Sequence, residues 1–312
     1  MNHFCTLFDK NYLYQGLTLF RSLERHAKSF VLYAICMDER SFDTVSRLQK
    51  PGLVPIPVQA LESEETRPVR ARTTHGQYCW VCQPVGCIYL LDRFNLSRIT
   101  YLEADSMFFG DPDLLFEELR NGSASVVPHR FSRRYDFTRV AGKHCVQFNA
   151  FRNTPEGRAV LGYWKAECFK YSKDLPTRYP GQMCLNHWSE LFPGVRELQH
   201  PGAGLAPWNV ESYHLSEKGG QLFVDESPVV FYHYHQYARY PNGDHELGDY
   251  RLDDRVVDLI YRPYAREIEK TESWVKSVDP AFDFRRTLAR SNGLLLRFRR
   301  RLRGSYNVYR SL

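Results

Sequence analysis

Two carboxylates separated by one small residue, Glu103-Ala104-Asp105, close a run of β-forming residues that begins at Ile99. Side chains two apart on a strand share a face, with Cα atoms about 6.5–7 Å apart. Both carboxylates are therefore expected to face one divalent ion and a pyrophosphate that the ion bridges. Without that chemistry, Glu103 is a solvated strand-end residue and Asp105 caps a turn. Cys79-x-x-Cys82, followed by Cys87, has spacing suggestive of zinc, but no nearby fourth ligand completes the set. That stretch is helical in pattern, and its cysteines read as packing. In FYHYHQY, the residue-level reading of His233 is a core histidine on an apolar strand, and His235 reads the same way. Asp9 and Asn11 lie where a helix begins and suit an N-cap. The aromatic run at Trp208-Asn209 is expected to shape an acceptor or sugar pocket.

These residues need elements to hold them. HFCTLF at 3–8 reads as a buried strand, and Leu13, Leu17, Phe20 and Leu23 mark one face of a helix. VLYAICM at 31–37 is a second strand, and SFDTVSRLQK a helix ended by Pro51-Gly52. This strand-helix rhythm predicts a parallel α/β sheet. After the acidic pair, Asp111 and Pro112 predict a helix start, with Asn121-Gly122 closing it. Thr154-Pro155-Glu156 opens another helix, running to about Tyr171. Residues 172–250, rich in Pro, Gly, His and aromatics, are expected to form binding loops.

A hydrophobic share of 43% with 25% charged residues fits a folded soluble chain. The N-terminal MNHFCTLFD lacks a basic stretch leading into an apolar core, so no secretory signal is expected. No apolar run reaches the roughly 20 residues that span a bilayer, and the eight cysteines read as buried thiols of a cytosolic protein. Charge is unevenly placed. Residues 284–312 hold nine arginines and no acidic residue, more than the whole net charge of +6, which leaves residues 1–283 mildly acidic. That balance argues against a nucleic-acid partner and for an anionic partner of the tail. SNGLLLRFRRRLRG alternates apolar and basic residues and is expected to lie on an anionic membrane surface. Its bland reading is a solvated tail or a helix docked on the body.

Taken together, five segments resemble, in order, the GT-A glycosyltransferases similar to family 8. FCTLFDKNYLYQGLTLFRSLERH is similar to that family's first strand and helix, and residues 98–119 to its D-x-D segment. CVQFNAFRNTPEG resembles the central acceptor-side strand, GAGLAPWNV the late loop, and FYHYHQY the segment supplying a third metal ligand. The resemblance covers about residues 1–240. It implies an α/β GT-A fold, a Rossmann-like mixed sheet flanked by helices, as a single main domain over 1–283 with a basic amphipathic segment at 284–312. It implies that Asp105, Glu103 and His233 hold Mn²⁺ or Mg²⁺, and that Phe8, Asp9, Asn11 and Tyr12, with Glu103 and Asp105, bind the nucleotide. Asn149, Trp208 and Asn209 fall in the acceptor or sugar pocket, and Gln182 on the reacting face.

Two departures stand out. Glu103 replaces the family's first Asp, and in Tyr179-Pro180-Gly181-Gln182 glycine stands where relatives carry a carboxylate. The expectation is a metal-dependent, retaining glycosyltransferase, cytoplasmic and peripheral on the inner face of a membrane. It would take a nucleotide-diphospho-sugar donor and a polysaccharide, lipopolysaccharide or lipid-linked acceptor. One rival is a non-catalytic nucleotide-sugar-binding relative. Another is a sugar nucleotidyltransferase, whose Gly-rich phosphate loop FDKNYLYQG lacks.

Overall fold

Apolar residues on both faces of the first strands require helices on both sides of the sheet. The computed structural model describes residues 1–173, 180–240, 242–283, 294–310 and 312, and within them this layering is what forms. Strands β1 (Asn2–Phe8), β2 (Phe30–Cys36) and β3 (Leu53–Pro57) alternate with helices α1 (Leu13–His26) and α2 (Glu39–Leu48). Helices α3 (Thr66–Arg72) and α4 (His75–Arg93) precede β4 (Arg98–Leu102), β5 (Ser106–Phe108), α5 (Asp113–Glu118) and β6 (Ala124–Pro128). Then come α6 (Thr138–Ala141), β7 (His144–Cys145), β8 (Phe148–Arg152), α7 (Pro155–Cys168), α8 (Pro180–Met183), α9 (Trp188–Leu191) and β9 (Val195–Glu197).

The main sheet runs β3-β2-β1-β4-β8-β6-β7, with β9 beside β6. Strands β1 to β4 are mutually parallel where they pair, and β8 is antiparallel to both β4 and β6. Along β1, Phe4 and Phe8 enter one core with Leu13, Leu17, Phe20 and Ile268. Cys5 and Leu7 enter the opposite core with Val81, Leu90, Leu161 and Trp164. The chain leaves β1 in one direction towards β2 and returns on its other side as β4. That reversal opens a crevice beyond the carboxyl ends of β1 and β4, where open α/β sheets bind ligands.

The rest of the described chain covers this crevice. A hairpin layer contains β10 (Leu215–Lys218), β11 (Gln221–Val224) and β12 (Ser227–Pro228). Strand β13 (Phe231–His233) pairs antiparallel with β5, placing His233 opposite Ser106. Strands β14 (Ala238–Arg239) and β15 (His245–Glu246) lead into α10 (Asp254–Val256) and α11 (Arg262–Val278). Helix α12 (Leu294–Leu302) and strand β16 (Val308–Tyr309) complete the described elements, and β16 pairs with β15.

Several boundaries differ from expectation. The helix after Asp111 stops at Glu118 rather than Asn121-Gly122, because α5 is a single turn and a half. Helix α7 starts as read, capped by Thr154 with Pro155 in the first turn, and ends at Cys168 instead of Tyr171. The described part of the tail packs on the body. Residues 284–293 lie outside the described residues, but 294–310 are not a solvated appendage. Arg300 is 6% exposed, Asn307 is 4% exposed, and β16 is an edge strand of the body.

Candidate active site

The acidic pair does not sit on a strand. Strand β4 ends at Leu102, and Ser106 N donates to Glu103 O, closing a turn over 103–106. The two-residue strand period therefore does not set where the carboxylates point. They diverge. The Glu103 carboxyl accepts from Gln83 Nε2 of α4 at 3.0 Å, whereas Asp105 Oδ1 lies 3.1 Å from His233 Nε2. Among the described residues, no three His, Cys, Asp or Glu side chains gather into a set able to hold a metal ion. Of the three expected ligands, Asp105 and His233 form a close pair, and Glu103 is hydrogen-bonded to Gln83.

The β5–β13 ladder creates that pair. With His233 opposite Ser106, Tyr234 N donates to Asp105 O at 2.7 Å, which fixes the turn beside the imidazole. On the other ring edge, His233 Nδ1 faces Gln147 Oε1 at 3.3 Å. Trp208 closes the site over both histidines, with edge contacts to His233 at 5.3 Å and His235 at 5.5 Å. Its indole N–H donates to His129 O.

Burial governs the charges here. It pushes the Glu103 carboxyl upward, the charge of Asp105 adds to that, and the group reaches about 8. Glu103 is therefore protonated at neutral pH. Burial also opposes charge on Asp105, but His233 and His235 outweigh it and hold Asp105 below the usual carboxylate range. Burial would favour a neutral His233, yet the adjacent Asp105 raises it well above the usual histidine range. The pair is an imidazolium beside a carboxylate, mostly withdrawn from solvent.

The β1–α1 loop lies across the crevice. Asp9 accepts from Asn11 N at 2.9 Å and Asn11 Nδ2 at 2.8 Å, and His75 Nε2 approaches it at 3.2 Å. Asp9 does not cap α1; its carboxylate organises the loop and meets α4. A cleft of about 300 Å³ lies beside this loop, walled by Asn11, Tyr12, Gln15, Tyr237, Arg239 and Ile268. Tyr12 is 38% exposed and offers a ring at the surface. Phe8 does not. It is 2% exposed, and its ring lies where a side chain on Gly16 would otherwise go.

Other expected residues turn out to be internal. Asn149 is fully buried and donates to Ser125 O at 3.0 Å. Asn209, 1% exposed, donates to His129 O and Gly204 O and accepts from Ala206 N. Both amides bond to backbone groups of the scaffold. Gln182 Nε2 donates to Ala141 O at 2.8 Å, and its Oε1 lies 3.4 Å from Val146 N. Tyr179 lies outside the described residues. Gly181 is buried, and a Cβ there would come within 2.6 Å of Cys168 Sγ, so a side chain at this position must displace that thiol. Cys79, Cys82 and Cys87 are free thiols on α4.

Sequence reasoning missed three residues: Gln83, which takes up Glu103; Gln147, which backs His233; and Arg239. The last pairs with Glu272 and Glu269 while its buried Nε makes no hydrogen bond among the described residues. A cation shortly after His233 was the available sign for Arg239. Nothing local marked the two glutamines.

No family model matches the chain. Two proteins of Bacillus subtilis (strain 168), both described as uncharacterized, are similar over nearly their whole length. YfnD is 25% identical over 288 residues, spanning 90% of this chain and 92% of YfnD. YfnF is 30% identical over 292 residues, spanning 90% of this chain and 96% of YfnF. The chain belongs to the YfnF family. Among solved structures, the galactosyltransferase LgtC in complex with donor and acceptor sugar analogs superposes with a TM-score of 0.53 at 13% identity. That match covers 89% of this chain and 96% of LgtC. An active-site glutamine-to-glutamate mutant of LgtC gives 0.50 at 11% identity over the same shares. The fold of this YfnF-family member is GT-A: a mixed sheet flanked by helices in one main domain.

Proposed function

We propose that this YfnF-family protein is a glycosyltransferase that moves a sugar from a nucleotide-diphospho-sugar to a saccharide or lipid-linked acceptor, a polysaccharide or lipopolysaccharide being the acceptor class. The reading rests chiefly on the Asp105–His233 pair, 3.1 Å apart at the carboxyl end of β4, beside the β1–α1 loop. The fold shared with LgtC is consistent with it.

The pair suits a divalent ion by its donor chemistry. A Mn²⁺ or Mg²⁺ ion would replace the proton between a carboxylate oxygen and an imidazole nitrogen, while Gln147 keeps the other ring nitrogen oriented. Two protein donors leave positions for diphosphate oxygens, and the ion would supply Lewis-acid neutralisation of the departing nucleoside diphosphate. Asp9, Asn11 and Tyr12 are assigned to the base and Glu103 to the ribose. Arg239, with a free Nε in the neighbouring cleft wall, is assigned to the diphosphate. Gln182 is assigned to the reacting face of the sugar, and retention of configuration follows the family 8 resemblance.

The acceptor side is assigned to the more open groove of about 500 Å³ walled by Ser132, Arg133, Arg134, Glu211 and Ser212. It adjoins Trp208, whose carbonyl accepts from Ser132 N. No helix among the described residues is long and apolar enough to cross a membrane. The outer side of α12 still exposes Phe298 and Leu302 among arginines, and Phe137 and Val140 are exposed on the β6–β7 excursion. We assign these to an anionic bilayer surface on the cytoplasmic side. Glu103 and the filled space at Gly181 favour a second reading, a nucleotide-sugar-binding relative without turnover.

One screen separates the readings: nucleotide-sugar binding and hydrolysis, with and without Mn²⁺, on wild type and Asp105→Ala. Release of nucleoside diphosphate that requires both the metal and Asp105 supports the transferase. Binding without release favours the non-catalytic relative, and metal-independent binding overturns the proposed ion site.

A further inference from the structure

The described part of the C-terminal segment reaches the candidate site through an unbroken set of contacts. Arg300, on α12, is buried and donates through Nη1 to Glu246 at 2.7 Å, while its Nε lies 2.6 Å from Asp249. Its Nη2 donates to Gly248 O at 3.3 Å. Asn307 donates to Gly248 O at 3.1 Å and to Tyr250 O, and its own carbonyl accepts from Leu247 N. Strand β16 then pairs with β15, so residues 245–250 are gripped from one side along their whole length.

The other side of this segment lies against His235 and Gln236. Asp249 N donates to Gln236 Oε1 at 3.1 Å. Gly248, at φ +93°, comes so close that a Cβ there would sit 3.3 Å from His235 O. Tyr250 OH meets His235 Nδ1 at 2.8 Å. The His235 ring rests against Trp208, its centroid 6.1 Å from that of His233.

We infer that the C-terminal segment is a working part of the donor site: Arg300 and Asn307 are positioning residues that hold Tyr250, and Tyr250 sets the ring of His235 beside Trp208 and the Asp105–His233 pair. The inference rests on the proposed nucleotide-sugar site for its consequence, which is that His235 helps to hold the donor's diphosphate. Its geometry stands without that site. The segment comes from the far end of the chain, after α11, and two basic or amide side chains do the gripping because the turn at 247–250 presents outward carbonyls. A buried guanidinium is stable there since Glu246 and Asp249 neutralise it and backbone oxygens take remaining donors. We assign Tyr250 as the donor to Nδ1, which places the imidazole proton on Nε2, the arrangement that offers an N–H to an anionic oxygen.

The test uses the full chain and four substitutions: Tyr250→Phe, Asn307→Ala, Arg300→Met and His235→Gln. Tyr250→Phe keeps the ring and removes only the hydroxyl, so it remains informative if Arg300→Met fails to fold. Long-range ¹⁵N–¹H spectra of the imidazoles, with the His235 signal assigned by its loss in His235→Gln, are expected to show one Nε2–H tautomer in wild type. Tyr250→Phe and Asn307→Ala should shift that signal towards averaging and leave His129 and His144 unmoved. Calorimetry with UDP, CDP, GDP and dTDP in Mn²⁺ then reads the consequence. For whichever diphosphate binds wild type, Tyr250→Phe and His235→Gln should each weaken binding about tenfold. The double variant should be no weaker than His235→Gln alone, since Tyr250 acts through His235. A merely structural role gives additive losses and would overturn the inference, as would an unchanged His235 signal in Tyr250→Phe. If no diphosphate binds wild type, it is the function reading that fails, and the spectra still decide the positioning.

Discussion

Gly181 offers a sharp test of why the chain departs from the family pattern. It lies on α8 with its N–H donating to Tyr171 OH at 2.9 Å and its carbonyl accepting from Trp164 Nε1 at 2.8 Å, so the peptide is pinned on both sides. A Cβ would stand 2.6 Å from Cys168 Sγ, about 1 Å inside ordinary contact. Overpacking of this size costs about 1–3 kcal/mol, and the better helix propensity of alanine returns up to about 1. Gly181→Ala should therefore destabilise the protein by about 1–2 kcal/mol, roughly 2–3 °C in melting temperature for a chain of this length. Removing the obstructing sulfur should relieve it. In a cycle of Gly181→Ala, Cys168→Ala and the double variant, the double variant should be more stable than the sum of the singles by about 1 kcal/mol. Gly181→Asp, which adds a carboxylate to the same filled space, should fall further and gain no turnover. Equilibrium urea unfolding reads all four. A Gly181→Ala protein as stable as wild type, with strictly additive singles, would refute the packing argument and reopen the position to the family's carboxylate.

Two further outcomes are expected. Burial opposes the charge of Glu197, but Lys143, His144 and Gln199 outweigh it and bring the carboxyl down to about 2. Its folded value lies below the unfolded one, so its contribution is full above about pH 4.3 and is lost as pH falls towards 2. Glu197→Gln should lower the melting temperature at pH 6 and converge with wild type near pH 2; an equal deficit at both would contradict the assignment. Gly204 holds φ +78°, and a Cβ there would stand 2.6 Å from both Gln147 Nε2 and Val127 Cγ1, so Gly204→Ala should displace Gln147 from His233. Loss of Mn²⁺-dependent nucleotide binding beyond the loss of stability is the expected readout, and unchanged binding would remove Gln147 from the site.

Much of the sheet was legible in the chain. The apolar runs at 3–8 and 31–37, and the helix spacing in 13–23, survive because strands buried on both faces read as near-continuous apolar runs and a helix packed on them keeps one apolar face. The D-x-D-like segment and His233 were found by order and type, and the Asp105–His233 contact depends on residues distant in sequence that the β5–β13 ladder joins.

What sequence could not decide was direction. The strand that was expected to carry Glu103 and Asp105 stops one residue early and a turn takes over, closed by the Ser106 N–Glu103 O bond, with Gln83 from α4 holding Glu103. Asn149 and Asn209 look like pocket residues by type, yet buried backbone carbonyls claim their amides, and those carbonyls belong to segments remote in the chain. The arginine-rich end reads by composition as one basic amphipathic stretch facing an anionic surface. Arg300 is taken out of it because Glu246, Asp249 and an outward-facing turn happen to meet it in space, and charge complementarity of that kind has no local signature. Residue types and their order thus determined the fold and pointed to the candidate residues, while tertiary packing decided which partners those side chains meet.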